Sequence, residues 1–168
     1  MSKRAAQDRF VALLEEHKKI LYKVASSYCR NPADRQDLVQ EMVVALWKSF
    51  GRYDDRYPFS TWMYRIALNV AISFYRSEVR RTRHTVAARD SVLEIETAAS
   101  ESAAPDGESR PLSSLMQQLG ELDRALLILY LDENRYDTIA QILGISETNV
   151  GTKISRIKQK LRTLARAV

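Results

Sequence analysis

The residues from Glu147 to Arg156 put Glu147, Thr148, Asn149, Thr152, Lys153, Ser155 and Arg156 on the outward side of one helix. Hydroxyls, an amide, a carboxylate and two cations at that spacing fit the chemistry of a DNA major groove. There, base edges offer donors and acceptors and phosphates take positive charge. A good base contact discriminates by ~1–3 kcal/mol. Lys158, Lys160 and Arg162 follow directly, and residues 153–168 hold six basic side chains and no acidic one. Such a run adds a salt-sensitive attraction to phosphate that is blind to sequence.

A second group suits unpaired bases. Of 14 aromatic residues, nine fall between positions 47 and 75, interleaved with or followed by Arg52, Arg56, Arg65, Arg76, Arg80, Arg81 and Arg83. Helical phase sends about half of these aromatics to a core. Tyr53, Tyr57 and Phe59 stand apart, because "RYDDRYP" reads as a loop with charged neighbours. Base–aromatic stacking contributes ~1–3 kcal/mol per base. One part of the chain therefore reads as a single-strand binder and the other as a duplex reader.

Helices must position both groups. Phe10, Leu13, Leu14, Val24 and Tyr28 recur at three- and four-residue steps up to Asn31-Pro32, where the pattern stops. Leu38, Met42, Leu46 and Phe50 form a second stripe, with Gly51 as its expected C-cap. Trp62, Ile66, Val70 and Phe74 form a third, with Ser60 or Thr61 as its expected N-cap. After a break the pattern returns from Ser113 as two short helices, followed by Asp137–Leu143 and Ser146–Ala165. In that last pair Ile139, Ala140 and Leu143 point inward. Gly144 supplies a left-handed turn, Ser146 caps the next helix, and Val150, Ile154, Ile157 and Leu161 are its packing stripe. This is a helix-turn-helix signature.

The expected fold class is all-α, as two small helical domains over residues 1–83 and 113–168, joined by a flexible linker over 84–112. That linker is rich in Ser, Ala, Pro and acids, and Val92, Leu93 and Ile95 are its candidates for a short docked turn. Net charge is +7 over residues 1–83, −4 over 84–112 and +2 over 113–168, so both ordered parts are cationic and the joint is not.

Several function classes fall away. The chain of 168 residues has one cysteine, Cys29, and two histidines, His17 and His84, without zinc spacing, so no metal site or cofactor is expected. There is no Gly-rich phosphate loop, no paired carboxylates in an apolar setting and no Ser/His/Asp set, so no catalytic residue is assigned and an enzyme is not expected. No apolar run approaches the ~20 residues that span a bilayer, and Met1–Phe10 has no apolar signal core. A cytoplasmic protein without membrane insertion is the expectation.

The segments "RQDLVQEMVVALWKSF", "FSTWMYRIALNVAISFYR" and "YDTIAQILGISETNVGTKISRIKQKLR" resemble, in this order and spacing, the extracytoplasmic-function sigma factors of bacterial RNA polymerase. The resemblance implies a region 2-like domain, a region 4-like domain, core RNA polymerase and promoter DNA as partners, and an anti-sigma factor as a further one. It implies that Asp37, Leu38, Gln40, Glu41 and Trp47 bind core polymerase, as do Leu126, Leu127 and Tyr130 from the region 4-like domain. It implies that Tyr53, Tyr57, Phe59, Trp62, Arg65, Asn69, Arg76 and Arg80 contact the single-stranded −10 element. Ser146, Glu147, Thr148, Asn149, Thr152, Lys153, Arg156 and Lys160 correspond to the reader of the double-stranded −35 element. Two departures are visible: Gly120 stands where the family usually has Pro, and Gly151-Thr152-Lys153 replaces a frequent Lys-Ser-Arg. With promoter elements about sixteen or seventeen base pairs apart, the two readers must stand roughly 55 Å apart at ~3.4 Å per base pair. A 29-residue linker averages ~30 Å as a coil and stretches to ~96 Å. The alternative reading is a stand-alone helix-turn-helix transcriptional regulator, which needs a self-association surface and tight DNA binding without polymerase. The acidic pair Asp37 and Glu41 argues against it.

Overall fold

The computed structural model describes residues 2–89 and 110–167, and every regular element in them is helical. The expected linker centre, with Val92, Leu93 and Ile95, lies outside these residues.

The first three helices are α1 (Lys3–Tyr28), α2 (Pro32–Ser49) and α3 (Phe59–Arg89). They pack on one another along the stripes that the sequence marks. Phe10, Leu21, Val24 and Tyr28 of α1 meet Leu38, Met42 and Leu46 of α2 and Met63, Ala67, Leu68 and Ala71 of α3, all buried. Ala67 and Ala71, four apart, keep α3 thin where it crosses its neighbours. Asn31-Pro32 ends α1 and also starts α2. The Asn31 side chain accepts from the Ala33 amide at 2.8 Å, and Pro32 takes the first helical position, where its missing N–H costs nothing.

Two expected caps are corrected. Phe50, not Gly51, takes the C-cap of α2, and the chain tightens into a 3-10 turn over Phe50–Arg52. The Phe50 ring is buried there among Phe10, Trp47, Tyr53, Phe59 and Trp62, and this burial sets the turn. Helix α3 begins at Phe59, one residue ahead of Ser60, with the Trp62 amide donating to the Pro58 carbonyl at 3.3 Å. Residues 84–89 continue α3, and residues 110–112 already belong to the next helix, so both ends of the expected linker are helical.

The remaining helices are α4 (Arg110–Gln117), α5 (Glu121–Leu131), α6 (Tyr136–Leu143) and α7 (Glu147–Arg166). Gly144 sits at φ 69°, ψ 35° between α6 and α7, and Ser146 Oγ accepts from the Asn149 amide at 3.1 Å. Ile139, Ala140, Val150, Ile154 and Ile157 are buried, and Ile142 is more deeply buried than the expected Leu143.

In α5, six consecutive residues, Arg124 to Leu129, are buried. A helix covered through more than a full turn needs neighbours on every side. Helices α6 and α7 cover one side and α1 and α3 the other, so the two helical groups are in direct contact.

Among the described residues two take left-handed backbone: Gly144, and Glu133 at φ 58° in the α5–α6 turn. A side chain costs ~1–2 kcal/mol in that conformation. Gly144→Ala, which meets no neighbouring atom, is therefore expected to cost about 1 kcal/mol, and Glu133→Gly to gain about 0.5 kcal/mol after the entropy of glycine is subtracted. Urea denaturation of both variants checks the opposite signs; equal signs would contradict the backbone explanation. Among the described residues Tyr64 Oη is the one buried side-chain polar atom without a hydrogen-bond partner. Tyr64→Phe is expected to leave stability unchanged or raise it, and a loss above about 1 kcal/mol in the same measurement would show that the hydroxyl has a partner.

Candidate nucleic-acid interface

Helix α3 carries a solvent-facing stripe. Arg65, Asn69, Ser73, Arg76 and Arg80 recur at steps of three and four and are all exposed, so three guanidiniums and an amide lie along one edge. Arg80 Nε reaches the Arg76 carbonyl at 3.4 Å, and Arg76 Nε donates to Glu121 at 3.1 Å. Four of the predicted −10 residues thus share a face.

The loop before α3 holds the aromatics. Tyr57 is exposed at 48 % and Tyr53 half-buried, its hydroxyl donating to the Tyr57 carbonyl at 2.8 Å. Burial, then Asp55, raises the Tyr53 hydroxyl above its ordinary range, so it stays a donor. Asp54 accepts from the Arg56 amide and guanidinium, which holds its carboxyl below the usual range and pins the turn. Arg9 pairs with Asp55 from α1. Phe59 corrects the sequence reading. It is 5 % exposed, with its ring edge-on to Tyr53 at 5.3 Å, so it backs the loop from the core and has no face for a base. Half-buried Trp62 packs on Phe50, Tyr53 and Phe59 and leaves part of its ring at the surface.

The outer face of α2 is acidic and apolar. Asp37, Gln40, Glu41, Val44, Trp47 and Lys48 recur at three- and four-residue steps and are all exposed. Leu38 is fully buried in the stripe opposite, where it packs the helix onto its neighbours. Val44, 50 % exposed between Glu41 and Trp47, was missed in the sequence reading. Extending the Asp37–Glu41 step by three would have found it. Glu41 also shares a shallow cleft of about 450 Å³ with Asn69, Val70, Ser73, Phe74 and Ser77. The acidic face of α2 and the polar edge of α3 therefore meet.

In the helix-turn-helix, Glu147, Thr148, Asn149, Thr152 and Arg156 are exposed and Lys153 half-buried. Ser146 spends its hydroxyl on the cap, and the Thr152 hydroxyl donates to the Thr148 carbonyl at 3.0 Å. Lys160 Nζ donates to the Gln118 carbonyl at 3.2 Å. Gly151 faces the Tyr136 ring, and a Cβ there would stand in ordinary contact, 3.5 Å from the ring edge. Leu126 and Leu127 are buried, and Tyr130 is half-buried with the Lys158 ammonium 4.3 Å from its ring centroid. The sequence reading gave these three a partner-facing role. The structure packs the two leucines inside, because α5 is enclosed on all sides.

Among the described residues no group of three or more His, Cys, Asp and Glu could hold a metal ion, and no helix is long and apolar enough to cross a membrane. Burial pushes the Cys29 thiol up to about 11. A neutral buried thiol of that kind is unreactive.

Comparison with known proteins agrees with this geometry. Residues 13–81 match the family model for Sigma-70 region 2 and residues 109–161 that for Sigma-70, region 4. The RNA polymerase sigma factor CarQ of Myxococcus xanthus is 31% identical, over 95% of this chain and 90% of its own. The structure of CnrH, a sigma factor of Cupriavidus metallidurans, in complex with the cytosolic domain of CnrY superposes with a TM-score of 0.69. It is 26% identical and covers 98% of this chain and 94% of that one. A structure of the sigma factor RpoE in complex with the anti-sigma factor NepR, from Bartonella quintana, shares the fold at a TM-score of 0.66 and 20% identity, over 95% and 96% of the two chains. With a region 2 bundle, a region 4 helix-turn-helix and relatives of this kind along nearly its whole length, the chain belongs to the ECF-type sigma factors of bacterial RNA polymerase.

Proposed function

We propose that this sigma factor acts as a dissociable specificity subunit that carries no catalytic step of its own. The α1–α3 group binds core polymerase and captures the −10 element, and the α4–α7 group reads the −35 element. The observation that carries this reading is the division of α2 and α3 into two solvent-facing stripes of opposite character. On α2, Asp37, Gln40, Glu41, Val44 and Trp47 surround an apolar centre with carboxylates, as a basic protein surface requires. On α3, Arg65, Asn69, Arg76 and Arg80 line up as a single strand of DNA requires, with Tyr53, Tyr57 and Trp62 at one end to stack unpaired bases. Base extrusion costs a few kcal/mol, which these rings offset only once the strand is open. Binding the open state better than the duplex shifts the equilibrium toward opening.

Glu147, Thr148, Asn149, Lys153 and Arg156 stand free on the N-terminal half of α7 for base and phosphate contacts. Thr152 and Ser146 contribute by shaping the helix. Each group alone presents a small surface. Linkage through polymerase supplies the effective concentration that makes the two contacts act together. The complex of RpoE with the anti-sigma factor NepR supports an anti-sigma partner for this chain as well. A stand-alone regulator fits less well, because it leaves the acidic and apolar face of α2 without a partner.

Asp37→Arg with Glu41→Arg reverses the charge of an exposed face and buries nothing. The double variant is expected to keep its helical circular dichroism and to lose at least ~100-fold in affinity for core polymerase, about 2.7 kcal/mol. Unchanged co-purification with polymerase would refute the assignment. Tyr57→Ala removes an exposed ring. It is expected to lower promoter opening, read by permanganate reactivity of −10 thymines, at least tenfold with duplex binding by the holoenzyme retained. Equal losses in both would contradict a role in capturing unpaired bases.

A further inference from the structure

The ends of α1 and α4, the start of α2 and the second half of α3 enclose a cavity of about 460 Å³, with Arg124 of α5 at its floor. Small-ligand sites occupy ~300–1,000 Å³. No residue of the solvent-facing stripes on α2, α3 and α7 lines it. Half-buried Phe74 and Val79 and the buried Cys29 give it an apolar side. Asp34 and Glu78, also half-buried, give it negative charge. Burial first, then Asp34 and, against Arg35, Glu78 raise the Cys29 thiol, so both carboxylates act on that point of the wall. Among the described residues Asp34 forms no ion pair, and Glu78 pairs with exposed Arg81 through Oε2 alone. No third ligand joins them to hold a metal ion there.

The opposite charge lies in the same cavity. Arg124 is 4 % exposed. Its Nε donates to the Leu119 carbonyl at 2.9 Å, Nη2 to the Gln117 carbonyl at 2.9 Å and Nη1 to the Ser27 carbonyl at 3.3 Å. A guanidinium has five N–H groups. These carbonyls leave one on Nη1 and one on Nη2 without a protein acceptor among the described residues. The Tyr75 ring, 4.8 Å from the charge, offers it a face and no lone pair. A carboxylate offers two oxygens that accept from both remaining groups.

The two charges stand close together. Arg124 meets the wall at Ser27 and the carboxylates act at Cys29, two residues on, which is ~3 Å along a helix axis. An anion alone would face Asp34 and Glu78, and an amine alone would face Arg124. A ligand with both charges on neighbouring atoms satisfies both sides. An α-amino acid carries its ammonium and its carboxylate on one carbon, and its side chain would lie on Phe74 and Val79.

We infer that this cavity binds a free α-amino acid with an apolar or aromatic side chain. Arg124 receives the carboxylate, Asp34 and Glu78 the ammonium, and Phe74 and Val79 the side chain. The site involves neither DNA nor polymerase, so it goes beyond the sigma-factor reading and does not rest on it.

The test titrates the isotope-labelled full chain with three probes and follows its backbone amides by NMR. The probes are L-phenylalanine, phenylpropionate, which lacks the ammonium, and phenylethylamine, which lacks the carboxylate. L-phenylalanine is expected to shift the amides of Cys29, Asp34 and Glu78 and to bind at least ~10-fold more tightly than either analogue, the gain of one charge-assisted hydrogen bond. The double variant Asp34→Asn with Glu78→Gln keeps the size of both side chains and removes their charge. In it the advantage of L-phenylalanine over phenylpropionate should vanish, with phenylpropionate still bound. The inference is overturned if no probe moves these amides, if the three probes bind alike, or if the double variant keeps the full preference. Each of those results leaves the sigma-factor reading intact, because polymerase and promoter are absent from the measurement.

Discussion

A buried guanidinium must have its donors met, because an unpaired buried polar group costs ~1–3 kcal/mol and a charged one more. Arg124 meets this requirement through the carbonyls of Leu119, Gln117 and Ser27, with two tyrosine rings over its charge. Two of those carbonyls end α4 and the third lies near the end of α1. One side chain therefore sets how α4 meets α5 and how α5 meets the first bundle. The remaining contacts follow: with Arg124 seated, Glu121 falls about one turn before it and Asp132 about two turns after it, and they find Arg76 and Lys23. The apolar part of the face, Ile128, closes behind them.

Much of the helical architecture was legible because local signals agreed with one another. Gly144 needed left-handed backbone and has it, and Ser146 caps α7 as its position implied. The stripes Leu38–Met42–Leu46 and Val150–Ile154–Ile157 are buried as their period required. What escaped were matters that spacing cannot decide. Phe59 sits among charged loop residues, yet it opens a helix whose first turn is packed on the Phe50 ring. Leu38 follows exposed Asp37 in the chain, whereas Leu126 and Leu127 lie within a run of buried residues, and a role borrowed from a motif does not tell which side of a helix a residue faces. The stretch 84–89 has too little amphipathic pattern to mark a helix, but nothing in it stops α3 from continuing. The contact between the two helical groups joins Tyr28 to Glu121 and Ser27 to Arg124, 93 and 97 residues apart, and no local signal reports it.

Charge and geometry explain why such a chain depends on a larger partner. The exposed faces of α3 and α7 carry several cations, and an exposed cationic face attracts any phosphate backbone. Net attraction of that kind delivers little selectivity. Selectivity comes when two separate contacts must be satisfied at a fixed spacing, since the second then benefits from the effective concentration created by the first. The packing of α5 on α1 and α3 brings the two helical groups into direct contact. It also keeps Arg76 paired with a carboxylate of its own chain, and Glu121 responds with a carboxyl held below its ordinary range, first by its own backbone amide and then by Arg76.

The most direct test is a pulsed dipolar distance between spin labels at exposed Thr82 on α3 and Thr163 on α7. It would be recorded on the free chain and again on the complex with core polymerase and promoter DNA. A sigma factor whose two helical groups pack through Arg124 and that reads two spaced elements predicts one narrow, short distance in the free chain, replaced on assembly by one longer by roughly 30 Å. A broad distribution in the free chain, or the same distance in both states, would contradict it.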